Sequence, residues 1–345
     1  MGAQSPHPRV REDWLALSEE PILSPEQPIL DAHHHLWDRP EGRYRSAELL
    51  ADVRSGHDVR ASLFVQCRTG YRETGPEPMM PLGEVETVLD WSRAEPAFPA
   101  GIVGFADLQL GDRIAPVLDA MIDAAKGRLC GIRNTTAYHP DPLFRSNSRP
   151  APDGLLCSDA FRAGARQVAQ RGLVLDVWAY QTQLGEVLAV TRDVPELTVV
   201  IDHCGGPLGL GDYRSGAGFA KWRDAMADLA RLPNTTVKIG GFGLTVMGYR
   251  YFEMDRPPSS DRLARDWRAH VETCLDLFGP QRAMFQSNFP VDKGQFSYRT
   301  LWNAFKRLAA PLAVEDRDDL FWRSACRIYG IDAEPFQTAL GRGTS

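Results

Sequence analysis

Several features that define other classes of protein are missing from this sequence. No apolar run approaches the length of a membrane-spanning helix, and the N-terminal stretch MGAQSPHPRVREDW lacks the apolar segment of a signal peptide. The formal net charge is −6, and the basic residues are scattered among acidic ones rather than clustered. We therefore expect a cytoplasmic protein that acts on a small molecule and binds neither membranes nor nucleic acid.

The six cysteines do not form a recognisable framework. They contain no CxxC pair, lie far apart and in several cases fall inside apolar runs such as LFVQC. In a chain of 345 residues this pattern predicts buried free thiols rather than disulfides. No internal repeat or low-complexity segment stands out either.

What the sequence does contain is a series of short apolar runs rich in valine and isoleucine. Their continuous apolar character, without strict alternation, is typical of strands that are covered on both faces. The eight predicted strands are 28–35, 60–67, 100–107, 129–135, 173–180, 197–204, 235–241 and 282–289.

Helical patterns alternate with these runs and carry apolar residues three and four positions apart. The predicted helices are 83–94, 114–125, 158–172, 184–193, 218–232, 266–279, 300–309 and 319–330. Eight strands alternating with helices predict an α/β fold, the closed (β/α)8 TIM barrel. An open doubly wound sheet is the alternative, but its glycine-rich phosphate turn does not follow the first strand.

The predicted barrel is a single domain over residues 28–332, between an N-terminal arm, 1–27, and a tail, 333–345. Barrel active sites lie at the C-terminal ends of the strands, where long loops usually serve function. The longest predicted connections all leave that end and should select the substrate: they are roughly 68–82, 136–157 and 242–262.

Three consecutive histidines end the first predicted strand, in DAHHHLWD (31–38). Alternate residues of a strand share a face, so His33 and His35 point one way and His34 the other. Neutral imidazole is a common ligand of zinc, and His203 ends the sixth strand in VVIDHCGGP. We therefore expect His33, His35 and His203 to meet at the barrel mouth. Histidines bonded to backbone at strand ends are the alternative.

Further polar residues end other predicted strands. Arg133, in GIRNT, can hold a carboxylate bidentately, while Tyr180 and Gln66 end two more strands as candidate substrate contacts. In MFQSNFPVD the eighth strand ends at Asn288, and the nearest carboxylate that could serve as ligand or base is Asp292. The alternative for Arg133 is a surface ion pair, and the alternative for Tyr180 is a packed aromatic ring without contact to a substrate.

The motifs DAHHHLWD, GIRNT, LDVWAYQTQL, VVIDHCGGP and SNFPVDK occur in this order over residues 31–293. With them the chain resembles the metal-dependent amidohydrolase superfamily, in particular the branch that contains sugar lactonases and 2-pyrone-4,6-dicarboxylate hydrolase. The resemblance implies a barrel hydrolase of lactones or related carbonyl compounds. It implies a site at His33, His35 and His203 for a divalent metal such as Zn²⁺, although some members of this branch work without metal. It also implies that Arg133 and Tyr180 contact carboxylate and carbonyl groups of the substrate.

The sequence departs from this family at the eighth strand. Asn288 stands where the family has the aspartate that activates water, and an amide cannot take a proton from water at neutral pH. Asp292 or a histidine would then be the base. The predicted function is the opening of an anionic lactone or similar ester by water, with a metal-assisted decarboxylase or a barrel that only binds a ligand as alternatives. Substrate identity and a homo-oligomeric state stay open.

Overall fold

Ten strands occur in the described part of the chain, and eight of them form the central sheet. The computed structural model describes residues 6–40, 42–147 and 149–337. In chain order the strands are β1 (Pro28–His34), β2 (Trp37–Arg39), β3 (Gly42–Tyr44), β4 (Asp58–Val65), β5 (Gly101–Gly104), β6 (Leu129–Thr135), β7 (Val174–Trp178), β8 (Val199–Ile201), β9 (Thr235–Ile239) and β10 (Ala283–Phe285). β2 and β3 form a separate antiparallel hairpin, and the other eight pair in parallel in chain order.

The chain after β10 returns to β1 and closes the barrel. The amide of His35 donates to the carbonyl of Phe289 at 2.7 Å, and the amide of Asn288 donates to the carbonyl of His33 at 2.8 Å. An isolated parallel bridge joins His34 to Phe289 at the same place. These bonds satisfy backbone groups that would otherwise form an open edge. The predicted (β/α)8 barrel is confirmed.

Helices cover the outside of the barrel. They are α1 (Glu12–Leu15), α2 (Ser46–Val53), α3 (Leu82–Trp91), α4 (Ala115–Ala125), α5 (Asp159–Gln170), α6 (Leu184–Asp193), α7 (Gly216–Ala230), α8 (Ser260–Phe278), α9 (Tyr298–Ala309), α10 (Val314–Asp318), α11 (Ser324–Tyr329) and α12 (Glu334–Gln337). A π-helical segment, Asp319–Arg323, joins α10 to α11. Strands enclosed in this way are buried on both faces, as in the last five residues of β4.

Several predicted strands extend too far at their C-terminal ends, and two of them bear on the site. β8 stops at Ile201 rather than at 204, and β10 stops at Phe285 rather than at 289. His203 has φ +52° and Asn288 has φ +55°, and this left-handed conformation cannot continue a strand. Both residues therefore lie in sharp turns at the barrel mouth.

Three smaller differences concern helices and loops. α8 begins six residues before its predicted start, because the hydroxyl of Ser259 caps it by accepting from the amide of Arg262 at 3.3 Å. The predicted loop 242–262 is correspondingly shorter. The sequence analysis also missed α2 and the β2–β3 hairpin, which lie between the first two barrel strands.

All six cysteines are free thiols, as predicted, and three of them are buried. Among the described residues, no helix combines the length and apolar character that a membrane crossing needs. Residues 1–5 of the predicted arm and 338–345 of the predicted tail lie outside the described residues. The domain boundaries stay a prediction.

Candidate active site

The structure brings three of the predicted histidines together at the C-terminal mouth of the barrel. The ring centroid of His33 lies 4.9 Å from that of His35 and 4.8 Å from that of His203. All three side chains are buried. His34 contacts different partners, because its Nε2 lies 2.9 Å from the hydroxyl of Ser62 and its ring packs against Phe64. The strand alternation that separates His34 from its neighbours is thus as predicted.

Fixed partners set the tautomers of this cluster. Nδ1 of His35 donates to the carbonyl of Val65 at 2.7 Å, which leaves Nε2 as an acceptor. Nδ1 of His33 lies 3.4 Å from a carboxylate oxygen of Asp202, which favours a proton on that nitrogen. The Nε2 atoms of His33 and His35 are 3.3 Å apart, so two lone pairs then face each other. A cation between or beside these two nitrogens would relieve their repulsion.

Burial keeps these imidazoles neutral. It lowers the pKa of His33 well below the usual range despite the neighbouring carboxylate of Asp202. Burial and the charge of Arg133 lower the pKa of His35 well below its usual value and that of His203 to about 3. At neutral pH all three rings can accept hydrogen bonds or bind a metal ion.

Arg133 provides a cation beside the paired imidazoles. Its Nη1 lies 3.3 Å from Nε2 of His33 and 3.2 Å from Oδ2 of Asp202, and its Nη2 donates to the carbonyl of Gln66 at 2.6 Å. Its side chain is 9% exposed, so it faces the cavity rather than the protein surface. The predicted alternative, a surface ion pair, does not describe this position.

Asp202 is a residue of the site that the sequence analysis missed. On an extended strand Asp202 and His203 would face opposite sides. Because β8 ends at Ile201 and the chain turns left-handed at His203, both side chains reach His33 instead. Burial alone would raise the pKa of Asp202, but Lys238, His33 and Arg133 together lower it well below its usual range. Its place next to a histidine in VIDHC was the available signal.

A buried ion pair inside the barrel supports Asp202 from below. Nζ of Lys238 lies 2.5 Å from Oδ2 of Asp176 and 3.6 Å from Oδ1 of Asp202, and all three side chains are inaccessible to solvent. The hydroxyl of Tyr329 donates to the other oxygen of Asp176 at 2.7 Å. This network joins β7, β9 and the turn after β8, so it fixes the carboxylate beneath the histidines.

A cavity of about 470 Å³ opens above the cluster. All three predicted loops contribute to its wall, the first through Arg68 and Tyr71, the second through Ser146, Asn147 and Arg149, and the third through Leu244. The described lining contains four arginines, Arg39, Arg68, Arg133 and Arg149, and no carboxylate. A concave surface of this charge favours an anionic or oxygen-rich ligand.

Asn288 lines this cavity, whereas Asp292 lies behind it. Nδ2 of Asn288 donates to Oδ1 of Asp292 at 2.8 Å, which leaves the amide oxygen of Asn288 for the cavity. The other oxygen of Asp292 accepts from the amide of Gly243 at 2.8 Å. Burial raises the pKa of Asp292 to about 8 against the effect of both hydrogen bonds. The side chain of Asp292 is therefore separated from the cavity by the asparagine.

The two remaining predicted substrate contacts occupy different positions. Gln66 lines the cavity and donates from Nε2 to the hydroxyl of Thr135 at 3.1 Å. Tyr180 is absent from the described lining, and its hydroxyl lies 2.6 Å from that of Ser146, which does line the cavity. The tyrosine thus contacts the cavity wall rather than the space within it.

Two residues that the sequence analysis did not assign to the site hold it from outside the cavity. Glu84 is buried in the first turn of α3, where its Oε1 accepts from the amides of Cys67 and Thr69 at 2.8 and 2.9 Å and holds the turn after β4. The side-chain amide of Gln286 contacts Nδ1 of His203 at 2.5 Å, which leaves Nε2 of that ring for a ligand. Neither lies in a motif with a recognisable spacing.

The donor set of the cluster fits a divalent metal ion. Ligand atoms of His33, Asp202 and His203 all lie within 4.8 Å of one another. Two imidazole nitrogens that bind one tetrahedral zinc ion at about 2.0–2.1 Å are about 3.3 Å apart. That is the separation of the His33 and His35 Nε2 atoms, 3.3 Å. Among the described residues, Nδ1 of His33 and Oδ1 of Asp202 make no hydrogen bond and lie 3.4 Å from each other.

The barrel, the histidine cluster and the cavity together form a candidate active site, and sequence comparison identifies the family. The profile of the amidohydrolase family matches residues 30–331. The chain belongs to this family. An uncharacterized protein of Sinorhizobium fredii, y4mH, is 30% identical over 329 residues, which cover 88% of this chain and 98% of that protein.

A lactonase and a solved amidohydrolase structure are also similar to the chain. An L-fucono-1,5-lactonase of Burkholderia multivorans is 26% identical over 328 residues, which cover 88% of this chain and 96% of the lactonase. A crystal structure of a Burkholderia multivorans amidohydrolase with bound zinc superimposes with a TM-score of 0.69 at 24% identity, over 88% of this chain and 99% of that one. The similarity to the zinc-bound structure shows the fold alone. The predicted resemblance to the lactonase branch is confirmed.

Proposed function

We propose that the protein is a lactonase that opens a sugar-acid lactone or a similar cyclic ester by attack of water. The observation that carries the proposal is the combination, in one cavity, of neutral imidazoles at its base and four arginines in its wall. A lactone offers an ester carbonyl to the imidazole cluster and several oxygen atoms to the guanidinium groups. The similarity to an L-fucono-1,5-lactonase supports the same choice of substrate class.

Arg133 is the proposed electrophile of this reaction. It lies at the base of the cavity, next to Nε2 of His33, and its guanidinium Nε has no hydrogen-bond partner among the described residues. A guanidinium there stabilises negative charge as it develops on the carbonyl oxygen. His33, His35, His203 and Asp202 would hold a divalent metal ion, which supplies Lewis-acid polarisation of the same carbonyl when bound.

Water would be held between Asn288 and the imidazoles. The amide oxygen of Asn288 faces the cavity and can accept a hydrogen bond from water, although it cannot take the proton. His35 lines the same cavity with an unprotonated Nε2, so its ring is the proposed proton acceptor when no metal ion occupies the cluster. Asp292 keeps the asparagine in this orientation.

A decarboxylase is the second candidate, and one observation favours it. The described cavity wall contains no carboxylate that could serve as a base for water, while its arginines suit a substrate that carries a carboxylate. Decarboxylation needs no such base. The two reactions differ in their products, since only the decarboxylase releases carbon dioxide.

The test is a panel of aldonolactones, including L-fucono-1,5-lactone, and of aromatic carboxylic acids, assayed for acid release and for carbon dioxide. His35→Ala should lower kcat/KM for lactones at least about a hundredfold if the ring accepts the proton. Arg231→Ala, at an exposed position on the outer surface, is the control and should retain full activity. Carbon dioxide release without lactone opening would replace the proposal by the second candidate. The absence of both acid release and carbon dioxide release would indicate a protein that only binds its ligand.

A further inference from the structure

The N-terminal arm reaches the mouth of the barrel. Pro6 and His7 both line the cavity that contains His35 and His203. The segment lies before residue 30, where the match to the family profile begins. The arm therefore adds a wall to the cavity that the barrel itself does not supply.

Several contacts fasten this arm to the barrel and determine where it ends. Nη2 of Arg11 donates to the carbonyl of Phe252 at 2.6 Å, and Nε1 of Trp14 donates to the carbonyl of Met254 at 2.9 Å. Trp14 itself is buried, with 6% of its surface exposed. These bonds tie the arm to the loop after β9, one of the loops that form the cavity.

A second set of contacts ties the arm to the turn that carries Asn288. Glu12 pairs with Nζ of Lys293 at 3.0 Å. The carbonyl of Pro8 packs so closely on Gly294 that a Cβ there would lie 2.3 Å from its oxygen. The glycine thus lets the backbone of the arm approach the site before the chain continues to His7.

His7 has the properties of a substrate-binding group. Burial, and to a lesser extent the charge of Arg39, lowers its pKa to about 4, so the ring is neutral at neutral pH. A neutral imidazole can both donate and accept a hydrogen bond, which suits a hydroxyl group. His7 and His203 line the same cavity, so a ligand bound there can contact both.

We propose that Pro6 and His7 form a fixed wall of the substrate cavity and that His7 contacts the part of the substrate remote from the reacting carbonyl. The arm then limits the size of the lactone that the barrel accepts. The contact by His7 and the limit on substrate size rest on the proposed lactonase activity, whereas the presence of the wall does not.

Three variants separate these roles. The first lacks residues 2–8 and retains Arg11 and Trp14; the second is His7→Ala; the third, Arg9→Ala, changes an exposed residue of the same arm and is the control. Thermal unfolding establishes that each is folded. Gly294→Ala is a fourth variant, which displaces Pro8 without altering a residue that lines the cavity.

A thiol inside the cavity reports on the wall without any substrate. Cys67 lines the cavity and is partly buried, while Cys157 is exposed and serves as the internal reference. Labelling by methyl methanethiosulfonate, followed by peptide mass spectrometry, should be about tenfold faster at Cys67 when residues 2–8 are removed. It should be unchanged in Arg9→Ala, as should labelling of Cys157 in every variant. An unchanged Cys67 rate in the truncated protein would overturn the proposal, whatever the enzyme's activity.

Kinetics test the contact made by His7. In His7→Ala, KM for a monosaccharide lactone should rise roughly three- to tenfold with kcat nearly unchanged, the range for one lost hydrogen bond. The truncated protein should gain at least about tenfold in its preference for a glycosylated aldonolactone over the monosaccharide lactone. Equal KM and equal preference in all variants would remove His7 from the substrate site. If no lactone is opened by any variant, the proposed function fails, and the Cys67 rate alone decides the wall.

Discussion

Asn288 is the residue whose environment most affects the proposed chemistry. Its backbone adopts a left-handed conformation, its amide nitrogen bonds to β1, and its side-chain nitrogen bonds to Asp292. These bonds leave little freedom to the amide group, so its oxygen is directed into the cavity. Asp292 is therefore a positioning residue.

Replacing Asp292 tests this arrangement. In Asp292→Asn, one amide oxygen cannot accept from both Gly243 and Asn288, so Asn288 has to turn its side chain and withdraw its oxygen from the cavity. We expect kcat to fall about tenfold or more, with KM changed less, in steady-state assays with a lactone.

The companion variant is Asn288→Asp, which places a carboxylate in the turn after β10, the eighth strand of the barrel. It should retain or increase hydrolysis and bind zinc more tightly, because a carboxylate can act as base or ligand. Full activity in Asp292→Asn together with loss of activity in Asn288→Asp would show that Asn288 acts as a hydrogen-bond donor instead.

The protonation of Asp292 should also affect stability. Its pKa rises from 3.8 to about 8 on burial, so the folded protein binds the proton more tightly than the unfolded chain does. The stabilisation is complete below about pH 4 and is lost as the pH rises towards about 8, by at most about 1.4 kcal/mol per pH unit. Urea unfolding at pH 5 and pH 8.5 should thus show a smaller loss of stability with pH in Asp292→Asn than in the native sequence. Parallel losses would contradict this pKa.

Arg133 should contribute to affinity through its geometry as well as its charge. Arg133→Ala should weaken binding of an anionic substrate by roughly 2–5 kcal/mol, since the group is desolvated in the cavity. Arg133→Lys should restore little, because an ammonium cannot contact Asp202, Gln66 and the ligand in one plane. Calorimetry with a sugar acid measures the affinity of the native protein and of both variants. Equal affinity in these three proteins would reduce Arg133 to a structural role.

At the scale of elements, β7 and β9 are joined by a buried ion pair beneath the site. Lys238→Met should destabilise the protein by roughly 3–5 kcal/mol, since it leaves Asp176 charged and without its cation. The double variant Lys238→Met/Asp176→Leu should recover much of that stability but little activity, because Asp202 still lacks its neighbour Lys238. Denaturant titration and lactone assays separate the two effects, and equal stability of single and double variants would contradict the buried-pair argument.

The elements of the fold were largely predictable because their signals are local. Apolar runs mark strands buried on both faces, and three- and four-residue spacing marks the helices that cover them, so all eight barrel strands were found. The turns at His203 and Asn288 were not, because positive φ values there depend on bonds to β1 and to neighbouring turns rather than on residue type. α2 was missed because it is short and has only Leu49 and Val53 buried.

The same distinction applies to the site. His33, His35, His203 and Arg133 could be predicted because parallel strands carry their terminal residues to one end of a barrel. Asp202 was missed, since on a continued strand its side chain would face away from that of His203. The separation of Asp292 from the cavity by Asn288 depends on a three-dimensional contact that no spacing reveals.

At the scale of the whole molecule, a bound metal ion should stabilise the fold. If the imidazole cluster binds zinc, the free energy of unfolding should increase by about 2.7 kcal/mol at a zinc concentration one hundred times the dissociation constant. Chelation should lower the melting temperature, added zinc should restore it, and His33→Ala should abolish the difference. Metal analysis of the purified protein provides the stoichiometry, and a melting temperature indifferent to both treatments would argue against a metal site here.

The contact that closes the barrel has a consequence for biosynthesis. The carbonyl of His33 and the amide of His35 find their partners only at Asn288 and Phe289, more than 250 residues later. A nascent chain released earlier can contain every histidine of the cluster and still lack the backbone bonds that hold two of them in place. Premature termination should therefore give products without activity, and ribosome-bound chains should acquire ligand affinity only after the ninth helix has left the exit tunnel.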